Sequence, residues 1–181
     1  MIEIRRIDEA HQADIRLPNE PFSLRGRMIP TYQDEKWGYT TVEYPKEAIT
    51  EMCFPDENYD YGEMEKNTVF LGAYDGETCV GLAILQDAFF KYLYLYDLKV
   101  NSSYRGRGVG TMLMEKAKEV ARERNYRGIY TIGQDNNLSA CLFYVHSGFA
   151  IGGLDTRVYG GTSQEGKADI YFYLDCKGEE S

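Results

Sequence analysis

Histidine is almost absent: the chain has two, His11 and His146, far apart in sequence. A Ser-His-Asp triad or a site with two histidine metal ligands therefore has little to be built from, and no metal site is expected. The four cysteines, Cys53, Cys79, Cys141 and Cys176, are scattered, with no Cys-x-x-Cys pair, which removes the common zinc and redox motifs. Cys79, Cys141 and Cys176 lie in or beside apolar runs and read as reduced packing residues. No segment is long and apolar enough to span a membrane. The first residues, with Glu3, Arg5 and Arg6 among isoleucines, lack the apolar run of a signal peptide, so a cytoplasmic protein is expected. An excess of positive charge is also missing. Lys and Arg total 20 against 29 Asp and Glu, a formal net charge of −9, which disfavours nucleic acid and favours cationic partners. With 181 residues, the chain is long enough for one domain with its own core, and one domain is expected.

Glycine, by contrast, is concentrated where it carries meaning. A tyrosine-rich, strand-like run, residues 92–100, leads through the polar turn Asn101, Ser102, Ser103 and Tyr104 into Arg105, Gly106, Arg107, Gly108, Val109, Gly110 and Thr111. Strand, glycine-rich turn and helix start together make an anion site. Glycine lets the backbone approach a ligand, and the first N–H groups of a helix have no partner within it. A pyrophosphate is the expected guest. A P-loop would need Lys and Ser or Thr after Gly110, and they are missing. A dinucleotide fingerprint needs different glycine spacing and a shorter turn. The pattern that fits is Arg-x-x-Gly-x-Gly, as Arg105, Gly108 and Gly110.

The rest of the chain reads as a mixed α/β order. Ile2, Ile4 and Ile7 suggest a first edge strand. Residues 28–66 are rich in acids and aromatics, among them Trp37, Glu47, Glu51, Glu57 and Tyr59, and read as an acidic, partly helical region with a short helix after Pro45. Acid plus aromatic suits an organic cation, through ion pairs and cation–π contact; a solvated face with aromatics turned inward is the competing reading. Strands follow over residues 68–74 and 79–85, joined by an Asp75-Gly76 turn, and with the strand from Tyr92 they form an antiparallel meander. Apolar spacing at Val109, Met112, Leu113, Ala117, Val120 and Ala121 gives a helix from Gly108 to about Asn125. Residues 128–132 form a short parallel strand after that crossover. Asn136 or Asn137 caps the next helix, which Gly148 ends. A strand from Phe149, a loop from Tyr159 to Lys167, a last strand at 170–174 and a charged tail at 177–181 complete the chain.

Asn137, Ala140, Tyr144, Gly148 and Phe149 resemble the Asn-x-x-Ala…Tyr-x-x-x-Gly-Phe signature of GNAT N-acetyltransferases. Residues 105–110 resemble that superfamily's acetyl-CoA pyrophosphate loop, in the usual order and at the usual separation. The resemblance implies a fold covering nearly the whole chain: α/β, with a mixed, mostly antiparallel central sheet and flanking helices. It implies acetyl-CoA as co-substrate, bound by the loop from Arg105 to Thr111, by pairing of its pantetheine arm with the backbone of Leu98, Lys99 and Val100, and by Asn137. Tyr144 takes the place of the general acid for the departing thiolate. Residues 151–159 and 170–174, with the end of the tyrosine-rich strand, look like streptothricin acetyltransferases, which acetylate an amine on the β-lysine arm of a cationic antibiotic.

An aliphatic ammonium has a pKa near ~10 and must lose its proton before it attacks a thioester. Asp97, late in the tyrosine-rich strand, is the best-placed acid by sequence; base and binding carboxylate are equally open roles for it, and Glu47 and Glu51 are more remote candidates. Trp37, Glu51 and Tyr159 are the candidate substrate-binding residues. The partner is a small cationic amine, with no nucleic acid and no membrane, and the oligomeric state is open between monomer and homodimer. Two other readings stay open: a GNAT enzyme acting on a protein lysine, an N-terminus or a polyamine, and a non-catalytic acyl-CoA-binding sensor.

Overall fold

The computed structural model describes residues 1–176; the charged tail read at 177–181 lies outside the described residues. In chain order the strands are β1 (Ile2–Arg6), β2 (Phe22–Leu24), β3 (Gly26–Gln33), β4 (Lys36–Glu43), β5 (Thr50–Met52), β6 (Thr68–Asp75), β7 (Thr78–Gln86), β8 (Tyr92–Val100), β9 (Gly128–Gln134), β10 (Ala150–Asp155) and β11 (Asp169–Asp175). The helices are α1 (Tyr61–Met64), α2 (Val109–Glu123) and α3 (Leu138–His146), with 3-10 segments at Glu9–Arg16, Lys46–Ala48, Glu65–Asn67 and Ser102–Tyr104. The class is the one expected, mixed α/β with mostly antiparallel pairing and flanking helices. The described residues divide into two compact units. The first holds Met1–Glu20 and Cys53–Ile129, with Asp175 and Cys176; the second holds Pro21–Met52 and Tyr130–Leu174.

In the first unit, β1, β6, β7 and β8 pair antiparallel in that order. β6 and β7 are covered on both faces, which is why their sequences are apolar without alternation. One face carries Phe70, Tyr74, Leu82 and Ile84, packed with Ile7 and with Ile15 of the Glu9–Arg16 segment. The other face receives α2, whose buried residues are Val109, Leu113, Met114, Ala117, Val120 and Ala121. Gly81 on β7 permits this approach: a Cβ there would stand 3.3 Å from Leu113 and Val109 side-chain atoms. Tyr126 N–H bonds to the Ala121 carbonyl at 2.9 Å and Asn125 N–H to that of Arg122 at 3.0 Å, with Asn125 at φ +61. These two bonds close the α2 C-terminus as a left-handed cap.

The register of β7 against β8 shifts between Ile84 and Leu85, and Tyr96 is the extra residue. A bulge of one residue resets which face each later side chain takes. Leu95 stands across from Leu85, and with Leu93 it lies on the α2 face, the face of Gly81. Beyond the bulge, Asp97 stands across from Ile84 and Lys99 across from Leu82, on the other face. Without Tyr96 as a bulge, both charges would be driven under α2.

The second unit contains the β3–β4 hairpin, the β2–β5 pair, and β9, β11 and β10 as neighbours in that order. Here the sequence reading is corrected. The acidic region, which continues past this unit into the first, has strands as its longer elements, and its helical content is confined to single turns at Lys46–Ala48 here and at Tyr61–Met64 and Glu65–Asn67 in the first unit. The hairpin turns at Asp34 and Glu35, both left-handed, φ +50 and +60. Asn-Gly is the sequence signature of such a turn, and Asp-Glu does not carry it. Buried Asp135 binds the unit together: its carboxylate accepts from Arg27 and from the Ala168 N–H at 3.0 Å, and its carbonyl accepts from Met28 N–H at 2.9 Å.

Candidate functional site

The sequence-derived residues fall in both units, and each unit's share has its own geometry. In the first unit, the loop after β8 turns through Gly106 at φ +70 and Gly108 at φ +82. Gly108 is the N-cap of α2 and supplies no side-chain cap. The first bond within the helix, Met112 N–H to the Gly108 carbonyl at 3.0 Å, leaves the N–H groups of Val109, Gly110 and Thr111 ahead of the hydrogen-bonded ladder. A Cβ placed on Gly106 or Gly108 would meet nothing within 4 Å. Unoccupied space, left-handed glycines and an uncapped 15-residue helix are what a pyrophosphate needs, so the residues present fit acetyl-CoA.

The two arginines of the loop hold it in shape. Arg105 Nε donates to the Val100 carbonyl at 2.9 Å, and its guanidinium lies 3.8 Å from Glu20. Glu20 also accepts from the Ser102 N–H. Arg107 lies over the Tyr104 ring at 5.1 Å and reaches the Ser103 carbonyl. Both arginine side chains are thus engaged within the chain, and the backbone N–H groups at the start of α2 are the donors left ahead of the helical ladder.

Asp97 and Lys99, aimed by the bulge, sit in a charged cluster. Lys99 Nζ is 2.9 Å from Glu57 Oε2 and 3.2 Å from Asp97 Oδ2, with side-chain exposures of 10% for Lys99 and 18% for Asp97. Tyr59 donates its hydroxyl to the same Asp97 oxygen at 3.1 Å, and Asn19 Nδ2 donates to Glu57 Oε2 at 2.9 Å. Burial pushes the Asp97 carboxyl above the usual aspartate range, with Lys99 opposing and Glu57 reinforcing the rise. Burial, followed by the charges of Asp97 and Glu57, drives the Tyr59 phenol far upward, so it stays a donor. The parts of Glu57, Tyr59 and Asn19 were not found from the sequence. The available signal was Lys99 itself, a cation at a strand position between apolar residues.

In the second unit, Asn137 is the N-cap of α3, its oxygen accepting from Ala140 N–H at 3.2 Å. The far end shows why the signature has its form. Phe149 N–H bonds to the Tyr144 carbonyl and Gly148 N–H to that of Val145, both at 3.0 Å, with Gly148 at φ +96. Tyr144, Gly148 and Phe149 are thus three positions of one Schellman cap, and the Tyr144–Phe149 ring contact, 5.5 Å between centroids, is its hydrophobic clasp. Phe172 at 5.4 Å and Phe143 at 5.7 Å flank the same ring. The tyrosine is held rigidly by the element it terminates.

Tyr159 donates to Asp169 Oδ1 and accepts from Gln134 Nε2, each at 2.7 Å, and its phenol is pushed up to about 12, by burial first. Trp37, at the β4 end of the hairpin, packs on Tyr32 at 4.9 Å. Glu51 is exposed and stands opposite Ser23. Among the described residues, no hydrogen bond or ring contact joins these three.

These features define an acetyl-transfer protein, and comparison with known proteins gives its family. Residues 29–149 match the model of the acetyltransferase (GNAT) family. The chain is 34% identical over 170 residues to streptothricin acetyltransferase A of Bacillus subtilis (strain 168), covering 94% of this chain and 98% of that one. It is 31% identical to a streptothricin acetyltransferase of Streptomyces lavendulae, covering 77% of each. Among solved structures, a Bacillus anthracis str. Ames protein assigned as a streptothricin acetyltransferase, in complex with acetyl coenzyme A, aligns with a TM-score of 0.86 at 28% identity, covering 97% of this chain and 99% of that one. The chain belongs to the GNAT acetyltransferase family and is an acetyl-CoA-dependent N-acetyltransferase.

Proposed function

We propose that the acceptor is a polycationic antibiotic of the streptothricin type, acetylated on a primary amine and thereby inactivated, so that the enzyme confers resistance. The observation that carries this reading is the end-to-end likeness to streptothricin acetyltransferase A. The acidic chain and its aromatic hairpin supply a fitting chemistry for such a substrate. A cytoplasmic enzyme is part of the same reading: the four cysteines are free, and among the described residues no helix is long and apolar enough to cross a membrane. A single acetyltransferase domain is part of it too, since the family match begins within one unit and runs through residues of the other.

In the reaction we infer, the loop from Arg105 to Thr111 binds the pyrophosphate, and the backbone of Leu98, Lys99 and Val100 receives the pantetheine arm. Asn137, with its oxygen committed to the cap, offers its amide N–H groups to that arm. Asp97 accepts the proton of the substrate ammonium, directly or through water. The freed amine forms the C–N bond as the C–S bond breaks, Tyr144 gives its proton to the departing thiolate, and the second proton that the nitrogen sheds on becoming an amide returns through water to the Tyr144 phenolate. Trp37, Glu51 and Tyr159 hold the cationic substrate.

The test is a panel of acceptors with purified enzyme, read by mass spectrometry, together with expression in a susceptible bacterium. Acetylated streptothricin and a resistant host are expected. Ready modification of a peptide or spermidine, with streptothricin untouched, would overturn the substrate assignment and leave the acetyltransferase intact.

A further inference from the structure

Lys99 is a nearly buried ammonium shared between two carboxylates. Its distances to Glu57 and Asp97, 2.9 and 3.2 Å, are close to equal, and the Tyr59 ring lies 5.8 Å from the nitrogen. We propose that Lys99 and Glu57 are positioning residues that act through Asp97: Lys99 holds one Asp97 oxygen, and Glu57 keeps Lys99 paired when Asp97 takes up a proton. The inference rests on Asp97 being the proton acceptor.

The charge balance supports it. At rest the cluster holds Asp97 and Glu57 as anions and Lys99 as cation. Proton uptake by Asp97 removes one negative charge, and a lysine paired with Asp97 alone would then be a stranded buried cation, which is costly. Glu57 prevents this, and Asn19 Nδ2, 2.9 Å from the same Glu57 oxygen, anchors it. Lys99 in turn separates two carboxylates that would otherwise face each other, a geometry in which one of them takes a proton and ceases to be a base. Lys99 and Tyr59 both engage Oδ2, so the cluster also fixes the carboxylate plane. The titratable groups facing Asp97 are Lys99 from its own strand and Glu57 and Tyr59 from the segment before α1, with Tyr96 beyond Tyr59, 6.0 Å between ring centroids. Across the sheet it meets Ile84, which is apolar.

Two variants should move the acidic limb of kcat/KM in opposite directions. Lys99→Met removes the cation and raises the limb by about one pH unit; Glu57→Gln removes the second anion and lowers it by about half a unit. Lys99→Arg should leave the limb near its original place. The carboxyl 13C signal of Asp97, followed by NMR in the full-length protein, should titrate in step with the limb in each variant. A merely structural role would lower the melting temperature without these opposed shifts. Asp97→Asn, assayed alongside, separates the two levels of the argument. Full activity at every pH in that variant removes Asp97 as the base, and the positioning role with it. Impaired Asp97→Asn, with the Lys99→Met and Glu57→Gln limbs unmoved or moved the same way, overturns the positioning role alone. Should Lys99→Met fail to fold, a lowered limb in Glu57→Gln together with an unmoved one in Lys99→Arg sustains the proposal, and an unmoved limb in Glu57→Gln overturns it.

Discussion

The proposed proton chemistry falls to two side chains, and each is set by its surroundings. The Tyr144 ring is gripped by Phe149 and Phe172, with centroid distances of 5.5 and 5.4 Å. Removing only the hydroxyl leaves that packing in place, so Tyr144→Phe should lower kcat by about ten- to a thousand-fold, the usual worth of acid catalysis, while acetyl-CoA affinity by calorimetry stays close to wild type. Asp97 is the converse case, an acid whose burial opposes its ionised form. Its raised value means that the ionised carboxylate, and the activity needing it, is lost as pH falls through a point above the ordinary aspartate range. The acidic limb of kcat/KM should therefore sit above that range. In Asp97→Asn, kcat should drop and recover in part at high pH, where the free amine forms unaided. A raised KM with unchanged kcat would instead assign Asp97 to cation binding.

Elements were legible in proportion to how local their causes are. The cap at Gly148, the α2 face from Val109 to Ala121 and the apolar strands β6 and β7 follow from neighbouring residues, and the sequence reading placed them closely, except that Met114 is buried on α2 where Met112 was expected and Met112 is exposed. The β3–β4 hairpin was missed because Asp34 and Glu35 take left-handed conformations without the glycine that normally announces them. The Tyr96 bulge was missed because its cause is the pairing with β7, a long-range event. The cluster around Lys99 was missed for a related reason, since Glu57 and Asn19 are distant in sequence. Glycine substitution tests the loop as an element. Gly108→Ala and Gly76→Ala both place a Cβ in unoccupied space at left-handed φ, +82 and +63, so each should cost roughly 1–2 kcal/mol of stability by thermal or urea unfolding. Gly108→Val should in addition weaken acetyl-CoA binding strongly, and Gly76→Ala should leave it unchanged. Equal affinities in the two would remove the loop from the cofactor site.

Charge acts at the scale of the whole molecule, where a net −9 over 181 residues produces a field rather than a contact. Lys99, held between Glu57 and Asp97, contributes little to that outer field, and some surface arginines are matched locally, as Arg124 is by Asp87 and Arg127 by Asp175. Acidic residues of the hairpin turn, Asp34 and Glu35, and of the strand that follows Pro45, Glu51, are exposed. A substrate with several ammonium groups would be drawn toward such a surface over distances of about one Debye length, ~10 Å at 0.1 M salt. Its kcat/KM should fall as ionic strength rises from roughly 0.01 to 0.3 M, with the loss in association and kcat nearly constant. An acceptor with one neutral amine should show little dependence over the same range. Steering cannot select which amine reacts; that requires the local proton acceptor. The two effects therefore separate experimentally: salt should alter kcat/KM in wild type and in Asp97→Asn by the same factor, while only the variant loses turnover. A salt response that vanishes in Asp97→Asn would place the attraction in the Asp97 cluster instead of the molecular field.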